Sequence, residues 1–218
     1  MRYAETNTAE PTGSAVFVLY ELKTIRKNVA APLESCEKVC YHGRKKELRG
    51  RCDMAGMFKA EIYALLDEKG VAYEKKEHAA VFTMADMDAE GLNEKGNICK
   101  NLFLRDAKGK KHFLVSAPEE RKIDLKQLAE WLGTSKLSFA SAERLEKYLM
   151  LRQGSVSPLG ILNDESRTVV FVADEALASM PSIGVHPNDN TATVWLSFAD
   201  LKKLIEEHGN EVIIAKLD

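Results

Sequence analysis

The sequence predicts an α+β domain built around a mixed β-sheet. Short strands and helices interleave without the regular strand–helix–strand repeat of a parallel α/β fold. A clear hydrophobic pattern begins at Met57 and continues through the rest of the 218 residues, a length that suits one medium-sized domain with an appendage. We therefore expect a domain over residues 57–218 and an N-terminal extension over residues 1–56.

The first predicted elements follow Met57 directly. An apolar stripe with helical spacing predicts a helix, and the stripe consists of Phe58, Ile62, Leu65 and Leu66. Gly70 follows the last turn as a C-terminal cap, and residues 71–75 are typical of a strand. Thr83 is a suitable N-cap for a short acidic helix ending at Asp88. The segment 78–88 is a candidate lid over a pocket, although a fixed surface helix fits its composition equally well.

The later elements have equally simple signals. Strands are predicted at 98–106 and 111–115, and helices at 125–132 and 142–149. Residues 107–110 are predicted to form a hairpin connection. Asp124 and Ser141 are the predicted N-caps of these two helices, and Gly133 ends the helix at 125–132. Further strands are predicted at 168–172, 183–185, 191–196 and 212–215, and a helix at 199–208.

Three of the four cysteines lie in the N-terminal extension. Thiolates and an imidazole suit a tetrahedral zinc ion. The candidate ligands are Cys36, Cys40, His42 and Cys52. Their spacing is loose and only one cysteine pair is close, so the pattern favours an extension without a metal site. This extension is expected to be poorly ordered or to reflect a mis-assigned start, with Met54 or Met57 as the working N-terminus.

The charge distribution limits the possible partners. Residues 1–56 hold 10 Lys and Arg against 7 Asp and Glu, a net +3, whereas residues 57–218 hold 21 against 26, a net −5. An acidic main body argues against DNA binding, which depends on neutralising many phosphates. We expect any contact with RNA to involve only a small part of that RNA.

The sequence shows no signal for a membrane or for export. No apolar run approaches the roughly 20 residues that a membrane helix needs. The N-terminus lacks a basic and then apolar signal peptide, and it carries Glu5 and Glu10, which a transit peptide would avoid. The expected compartment is the cytoplasm.

Lys100 interrupts an apolar row in the predicted strand 98–106. Alternation places Lys100 on one face with Ile98 and Leu102, and Cys99 and Asn101 on the other. One interpretation is a lysine that protects a strand edge from aggregation. The other is an ammonium at the rim of an apolar pocket that holds a phosphate. Asn101 is a poor residue for the middle of a strand, which indicates a local role.

Two loops carry further candidates. The loop Gly154-Ser155-Val156-Ser157-Pro158 can present main-chain groups to a ligand, because glycine permits close approach and proline fixes the exit of the loop. Taken alone, the same spacing indicates an ordinary turn. His186 precedes Pro187 between two predicted strands, and proline restricts the backbone of the residue before it. By itself this histidine fits a turn as well as it fits a ligand contact.

Other reactive side chains favour structural interpretations. His78 and His112 are isolated in the sequence, and we expect both to be structural. Cys99 is a weak candidate nucleophile, because the alternation directs it away from the face of Lys100. The sequence contains no phosphate-binding glycine loop, nucleophile elbow or His-Glu-x-x-His helix.

Taken together, these motifs resemble those of one family. The domain is similar to the YbaK and prolyl-tRNA synthetase-associated editing domain family, and within it to the freestanding PrdX or ProXp-ala branch. The matching segments are residues 77–83, 100–106, 154–164 and 186–194. The family's fold would be a mostly antiparallel, partly barrel-like sheet flanked by helices. Residues 1–56 have no counterpart in the family, which supports treating them as an extension.

The resemblance implies an aminoacyl-tRNA deacylase that acts in trans, most plausibly on alanyl-tRNA(Pro). On this basis Lys100 matches the catalytic lysine that holds the phosphate near the terminal adenosine, and Asn101 matches its polar companion. The loop from Gly154 to Pro158 matches the element whose main chain lines the aminoacyl pocket, and His186 matches a position that helps to hold the substrate end. The family uses neither a metal nor a protein nucleophile, and water attacks with help from the terminal ribose hydroxyl.

The resemblance also implies partners, and three alternative functions stay open. The acceptor end of tRNA(Pro) would be the substrate, with prolyl-tRNA synthetase as a candidate partner and no cofactor. The nearest alternative is the same chemistry on cysteinyl-tRNA(Pro) or another small aminoacyl-tRNA. A noncatalytic module that binds an RNA end is a second alternative, and a zinc-linked regulator is a third.

Overall fold

The computed structural model describes residues 56–81, 84–92 and 94–217. Several predictions lie outside these residues. They are the zinc ligands Cys36, Cys40, His42 and Cys52, the extension up to residue 55, and the Thr83 cap. Among the described helices, none is long and apolar enough to cross a membrane.

The described residues form five α-helices, eight strands and two 3₁₀ helices. The α-helices are α1 (Lys59–Glu68), α2 (Met84–Ala89), α3 (Leu125–Trp131), α4 (Ala142–Leu149) and α5 (Phe198–His208). The strands are β1 (Tyr73–Glu77), β2 (Cys99–Arg105), β3 (His112–Pro118), β4 (Ser138–Phe139), β5 (Val169–Asp174), β6 (Ile183–Val185), β7 (Ala192–Leu196) and β8 (Val212–Ala215). The 3₁₀ helices cover Pro158–Asn163 and Glu175–Ser179.

The strands form two sheets, which confirms the predicted α+β class. The smaller sheet has the order β1-β7-β6 and is antiparallel, and the larger has the order β4-β2-β3-β5-β8. In the larger sheet, β2 pairs antiparallel with β3 and β4, whereas β5 pairs parallel with β3 and β8. A single bridge between Ile98 and Gly184 links the described parts of the two sheets. The partly barrel-like closure is therefore not confirmed.

Hydrophobic residues cover both faces of the larger sheet. On one face, Cys99 and Phe103 of β2 join a cluster that includes residues from α1, α4, α5 and the smaller sheet. On the other face, Leu102 and Leu104 pack in a second cluster with α3. The predicted alternation is thus confirmed for these four core residues, because successive side chains of a strand point to opposite faces. At the start of β2 it is not, since Cys99, Lys100 and Asn101 all line one cavity.

Most predicted element boundaries agree with the structure to within two residues. Asp124 caps α3 by accepting hydrogen bonds from two backbone N–H groups, and Gly70 follows α1 with φ +65°. Phe58 is wrong as a member of the buried stripe, because it precedes α1 and is 47% exposed. The two-residue strand β4 and both 3₁₀ helices were not predicted, since such short elements have no periodic signal.

Met57, next to the first described residue, is hydrogen-bonded through its main chain to two later segments of the domain. The Met57 N–H donates a 2.6 Å hydrogen bond to Asn163 Oδ1, and the Met57 carbonyl accepts one of 2.6 Å from Asn188 Nδ2. Asn188 lies two residues after His186 and has φ +61°, a left-handed conformation that asparagine tolerates better than most residues. Met57 therefore contacts the loop that carries one of the candidate site residues.

Candidate active site

A small cavity lies where the start of β2 meets the smaller sheet. Its volume is about 150 Å³, well below the roughly 300–1,000 Å³ typical of pockets for drug-sized ligands. Its apolar wall includes Val81, Met87, Leu92 and Ile98. Its polar residues are Lys100, Asn101, Glu119, His186 and Thr193. The cavity therefore combines a small apolar space with a few convergent polar groups.

Lys100 contributes a cation to the cavity lining. It pairs with the fully buried Ala117 of β3, so its backbone is fixed by the sheet. Its side chain is half-buried in the cavity lining, and it makes no hydrogen bond or ion pair with any residue of the described ranges. This arrangement leaves the ammonium available to an anionic group of a ligand.

Glu119 lies at the end of β3 and lines the same cavity. Burial raises the pKa of its carboxyl, and the charges of Glu120 and Asp88 raise it further, whereas Lys100 lowers it. No sequence motif indicated this residue. Its position depends on the β2–β3 pairing, which brings the end of β3 beside the start of β2.

Asn101 is fixed to the neighbouring strand by its side chain. Its Oδ1 accepts a 2.5 Å hydrogen bond from Ser116 Oγ, and its Nδ2 donates one of 3.3 Å to the Cys99 carbonyl. Ser116 is fully buried, so its hydroxyl needs a partner. These contacts explain why an asparagine is accommodated in the middle of β2.

Cys99 lines the same cavity as Lys100, which the predicted alternation did not indicate, but it does not have the properties of a nucleophile. It is 7% exposed, and burial raises the pKa of its thiol to about 12. The thiolate is the reactive form of cysteine, and it is scarce at neutral pH when the pKa is so high. The prediction that Cys99 is not the nucleophile is consistent with this environment.

His186 presents a neutral imidazole nitrogen to the cavity. Its Nδ1 lies 2.9 Å from the Ala192 carbonyl, which can only accept, so Nδ1 carries the proton. Burial lowers the pKa of the imidazole, and the nearby His78 lowers it further. The hydrogen bond to the Ala192 carbonyl acts in the opposite direction and raises this pKa. In this tautomer Nε2 keeps its lone pair and can accept a hydrogen bond from a ligand or a water molecule.

The loop from Gly154 to Pro158 packs behind His186. Ser157 is fully buried, and its Oγ donates a 2.5 Å hydrogen bond to the His186 carbonyl. Gly154 is exposed and has φ +89°, while Pro158 begins a 3₁₀ helix. Residues 154–158, all of them described, are not part of the cavity lining. The structure thus joins this loop to the histidine, and its direct contact with a substrate stays a prediction.

His78 and Thr193 form a polar pair beside His186. His78 Nδ1 lies 2.7 Å from the Ala79 carbonyl, and His78 Nε2 lies 3.0 Å from Thr193 Oγ1. The rings of His78 and His186 are 6.3 Å apart between centroids. Sequence reasoning treated His78 as structural and missed Thr193. The signal for Thr193 was its place in a strand that directly follows the His186 loop.

His112 lies in the core and not at the cavity. It is fully buried, its ring centroid lies 4.1 Å from that of Tyr148, and its Nε2 accepts a 2.9 Å hydrogen bond from Arg144. Burial lowers the pKa of His112, and the positive charge of Arg144 lowers it further. This environment agrees with the structural interpretation of His112.

Gly184 lines the cavity at the bridge between the two sheets. Its N–H donates a 2.8 Å hydrogen bond to the Asn97 carbonyl. A Cβ at this position would lie 2.6 Å from Ile98 Cδ1 and 2.9 Å from Trp195 Nε1. Only glycine allows this close approach without displacing a neighbour, as glycine in a strand often does. The sequence showed a glycine inside a predicted strand, which is the signal that could have identified it.

The proposed lid segment contributes directly to the cavity. Val81 and Met87, from the segment 78–88, both line the apolar wall. Leu92 follows α2, and its N–H donates to the Met87 carbonyl at 2.9 Å. Motion of this segment stays a prediction.

Comparison with known proteins identifies similar sequences and folds. The sequence model of the family described as "Aminoacyl-tRNA editing domain" matches residues 78–204. The prolyl-tRNA editing protein ProX of Acetoanaerobium sticklandii is 49% identical over 152 residues, which cover 70% of this chain and 93% of that protein. The prolyl-tRNA synthetase associated domain-containing protein 1 of Bos taurus is 34% identical, over 76% of this chain and 99% of that protein.

A solved structure supports the fold. It belongs to a protein provisionally assigned as a trans-editing enzyme for prolyl-tRNA synthetase. The two folds agree with a TM-score of 0.58, at 20% sequence identity, over 73% of this chain and 96% of the other.

Proposed function

Because the chain belongs to the aminoacyl-tRNA editing domain family, we propose that it is a trans-editing deacylase that hydrolyses the ester bond of mischarged tRNA(Pro). The similarity to ProX, a prolyl-tRNA editing protein, supports tRNA(Pro) as the carrier of the substrate. We further propose that alanine is the acyl group removed. The sequence similarity itself does not distinguish alanine from cysteine.

One observation carries this proposal. Lys100, Asn101 and His186 are distant in sequence, yet all three line the same small cavity. In the proposed mechanism the Lys100 ammonium binds the phosphate of the terminal adenosine, because a lysine that forms no hydrogen bond or ion pair with the described residues is a suitable point charge for a phosphate. Asn101 holds the strand in position, and His186 Nε2 accepts a hydrogen bond from the substrate end or from the attacking water.

The size of the cavity supports alanine as the acyl group. A synthetase pocket built for proline cannot strongly reject the smaller alanine, because each missing methylene is worth only about 1–3 kcal/mol. A second pocket that is too small for proline can remove alanine after the error. The cavity of about 150 Å³, with its apolar wall, suits a small acyl group such as alanine, and the exclusion of proline is part of the proposal.

The site loop and the domain boundary are part of the same proposal. We assign Gly154, Ser155, Val156, Ser157 and Pro158 to substrate binding, with Ser157 fixing the loop to His186.

We assign the editing domain to residues 57–218, and the hydrogen bonds of the Met57 main chain to Asn163 and Asn188 support this start. Prolyl-tRNA synthetase is the proposed partner, and the cytoplasm, where tRNA is charged, is the proposed compartment.

A deacylation panel tests the proposal. The full chain is incubated with alanyl-, cysteinyl-, seryl- and prolyl-tRNA(Pro), and the loss of each ester is measured above its uncatalysed rate. The proposal predicts rapid loss of alanyl-tRNA(Pro) and little loss of prolyl-tRNA(Pro). Equal cleavage of the prolyl ester would contradict it, and a clear preference for the cysteinyl ester would replace alanine with cysteine. Binding of tRNA(Pro) without hydrolysis would indicate a noncatalytic module.

A further inference from the structure

The polar pair of His78 and Thr193 defines a subsite that the roles given above do not use. Thr193 lies on β7 with 2% of its surface exposed, and it lines the cavity. It follows Ala192, whose carbonyl fixes the tautomer of His186. The last β6–β7 pair is Val185 with Val194, so His186 and Thr193 are neighbours on adjacent strands. Any acyl group that reaches His186 in the cavity therefore also meets Thr193.

The hydrogen bonds of His78 decide what the Thr193 hydroxyl can offer. The Ala79 carbonyl can only accept, so the contact of 2.7 Å places the proton of His78 on Nδ1. In the neutral imidazole, Nε2 is then an acceptor. With the imidazole in this neutral tautomer, the Thr193 hydroxyl, 3.0 Å away, donates its only proton to this nitrogen. What remains for the cavity is the lone-pair side of the Thr193 oxygen.

An acceptor inside a small apolar cavity selects a ligand that carries a donor. The acyl end of an aminoacyl-tRNA has one donor that a simple acid lacks, which is the N–H of its α-amino group. We propose that the Thr193 hydroxyl binds the α-amino group of the aminoacyl ester, and that His78 is the positioning residue that turns the hydroxyl for this task. The inference rests on the proposed deacylase function and adds to it the part of the substrate that is recognised.

Glu119 is the competing acceptor in the same cavity. Its carboxyl also lines the wall and could accept a hydrogen bond from an amino group. However, Glu119 and Lys100 influence each other electrostatically, and the phosphate proposed for Lys100 is negatively charged. We therefore assign Glu119 to the surroundings of Lys100 and the α-amino group to Thr193, and the two assignments predict different variants to be defective.

The test compares two substrates that differ only in the amino group. Propionyl-tRNA(Pro) has the carbon chain of alanine without the α-amino group. For each protein, the rates on alanyl- and propionyl-tRNA(Pro) are divided by the uncatalysed rate of the same ester. We expect the wild-type protein to prefer the alanyl ester by about tenfold or more, the usual effect of a hydrogen bond to a charged group.

The variants separate binding from a structural role. Thr193→Val keeps the shape of the side chain and should remove the preference by lowering only the alanyl rate, whereas Thr193→Ser should keep it. His78→Phe should weaken the preference, and His78→Gln, which restores an acceptor, should recover part of it. Thr134→Val, in the turn after α3 and outside the cavity lining, is the matched control and should retain the full preference. If Thr193→Val does not fold, Thr193→Ala serves in its place.

Three results would overturn the inference. Equal losses on both esters in Thr193→Val would indicate a structural role, and full rates on both esters would exclude Thr193 from recognition. Loss of the preference in Glu119→Gln with its retention in Thr193→Val would assign the amino group to Glu119. These outcomes leave the deacylase proposal intact, whereas a wild-type protein that cleaves neither ester contradicts both.

Discussion

Ser157 Oγ donates a 2.5 Å hydrogen bond to the main-chain oxygen of His186, and so joins two loops that lie far apart in the sequence. The same oxygen of Ser157 accepts a 3.3 Å hydrogen bond from the Leu159 N–H at the start of the 3₁₀ helix. Ser157 is fully buried. The position of His186 in the cavity thus depends on the glycine–proline loop, although that loop does not line the cavity.

Ser157→Ala should therefore reduce both stability and activity. It leaves the His186 carbonyl without this donor from the buried Ser157, which we expect to lower the free energy of unfolding by about 1–3 kcal/mol. Urea unfolding and the deacylation rate measure the two effects. Ser179→Ala is a matched control, because Ser179 Oγ also donates to a main-chain carbonyl but is exposed. If the two variants behave alike, Ser157 has no special role.

The pH profile should report the neutral imidazole of His186. Because burial lowers the pKa below its ordinary value of 6.5, the ring stays neutral through neutral pH and gains a proton only in more acidic solution. Activity that needs the Nε2 lone pair should be constant near pH 7 and fall on the acid side below pH 6.5. The measurement is kcat/KM for alanyl-tRNA(Pro) against pH, corrected for uncatalysed hydrolysis.

His186→Asn assigns the acid limb of that profile. Asparagine can still donate a hydrogen bond to the Ala192 carbonyl but has no counterpart of Nε2, so activity should fall and the acid limb should disappear. An acid limb that persists unchanged in His186→Asn would assign it to another group, such as Glu119, whose pKa is raised by burial.

Cys99→Ala should leave turnover nearly unchanged. The buried thiol has a pKa of about 12 and is protonated at neutral pH, so it cannot serve as the nucleophile. We expect a deacylation rate within about twofold of wild type and a small loss of stability from the missing sulfur atom. A loss of activity without a loss of folded protein would require a catalytic role for Cys99.

Gly184→Ala should disturb the lining of the cavity. The added methyl group would lie 2.6 Å from Ile98 Cδ1, and overpacking of this kind costs about 1–3 kcal/mol. Ile98→Val removes the Cδ1 atom, so the double variant should recover part of the lost stability. Urea unfolding of the three variants measures this coupling. Strictly additive effects would show that Ile98 is not the group that Gly184 accommodates.

Much of the fold could be predicted from local patterns. The alternation along β2 correctly separated Cys99 and Phe103 from Leu102 and Leu104, because one side of a strand must face one core. The bounds of α4 and β8 agree with the sequence pattern. The strand predicted at 71–75 is displaced to Tyr73–Glu77, because its register is set by pairing with β7 and not by its own residues.

The site was less predictable, for a physical reason. Lys100, Asn101 and His186 are unusual in their local sequence, and the structure brings all three to the same cavity. Glu119 and Thr193 look ordinary in sequence, since their importance comes from strand pairings that join distant segments. The position of Gly184 in the cavity lining likewise depends on the bridge between the two sheets, which no local sequence pattern encodes.

The most direct test of the account is the activity of Lys100→Ala on alanyl-tRNA(Pro) under single-turnover conditions. The cavity would lose the cation proposed to bind the phosphate, and we expect the rate to fall by about a hundredfold or more. Lys126→Ala, at an exposed lysine on α3, is the control and should match wild type. A Lys100→Ala protein that is folded and still hydrolyses alanyl-tRNA(Pro) at a near-normal rate would contradict the account.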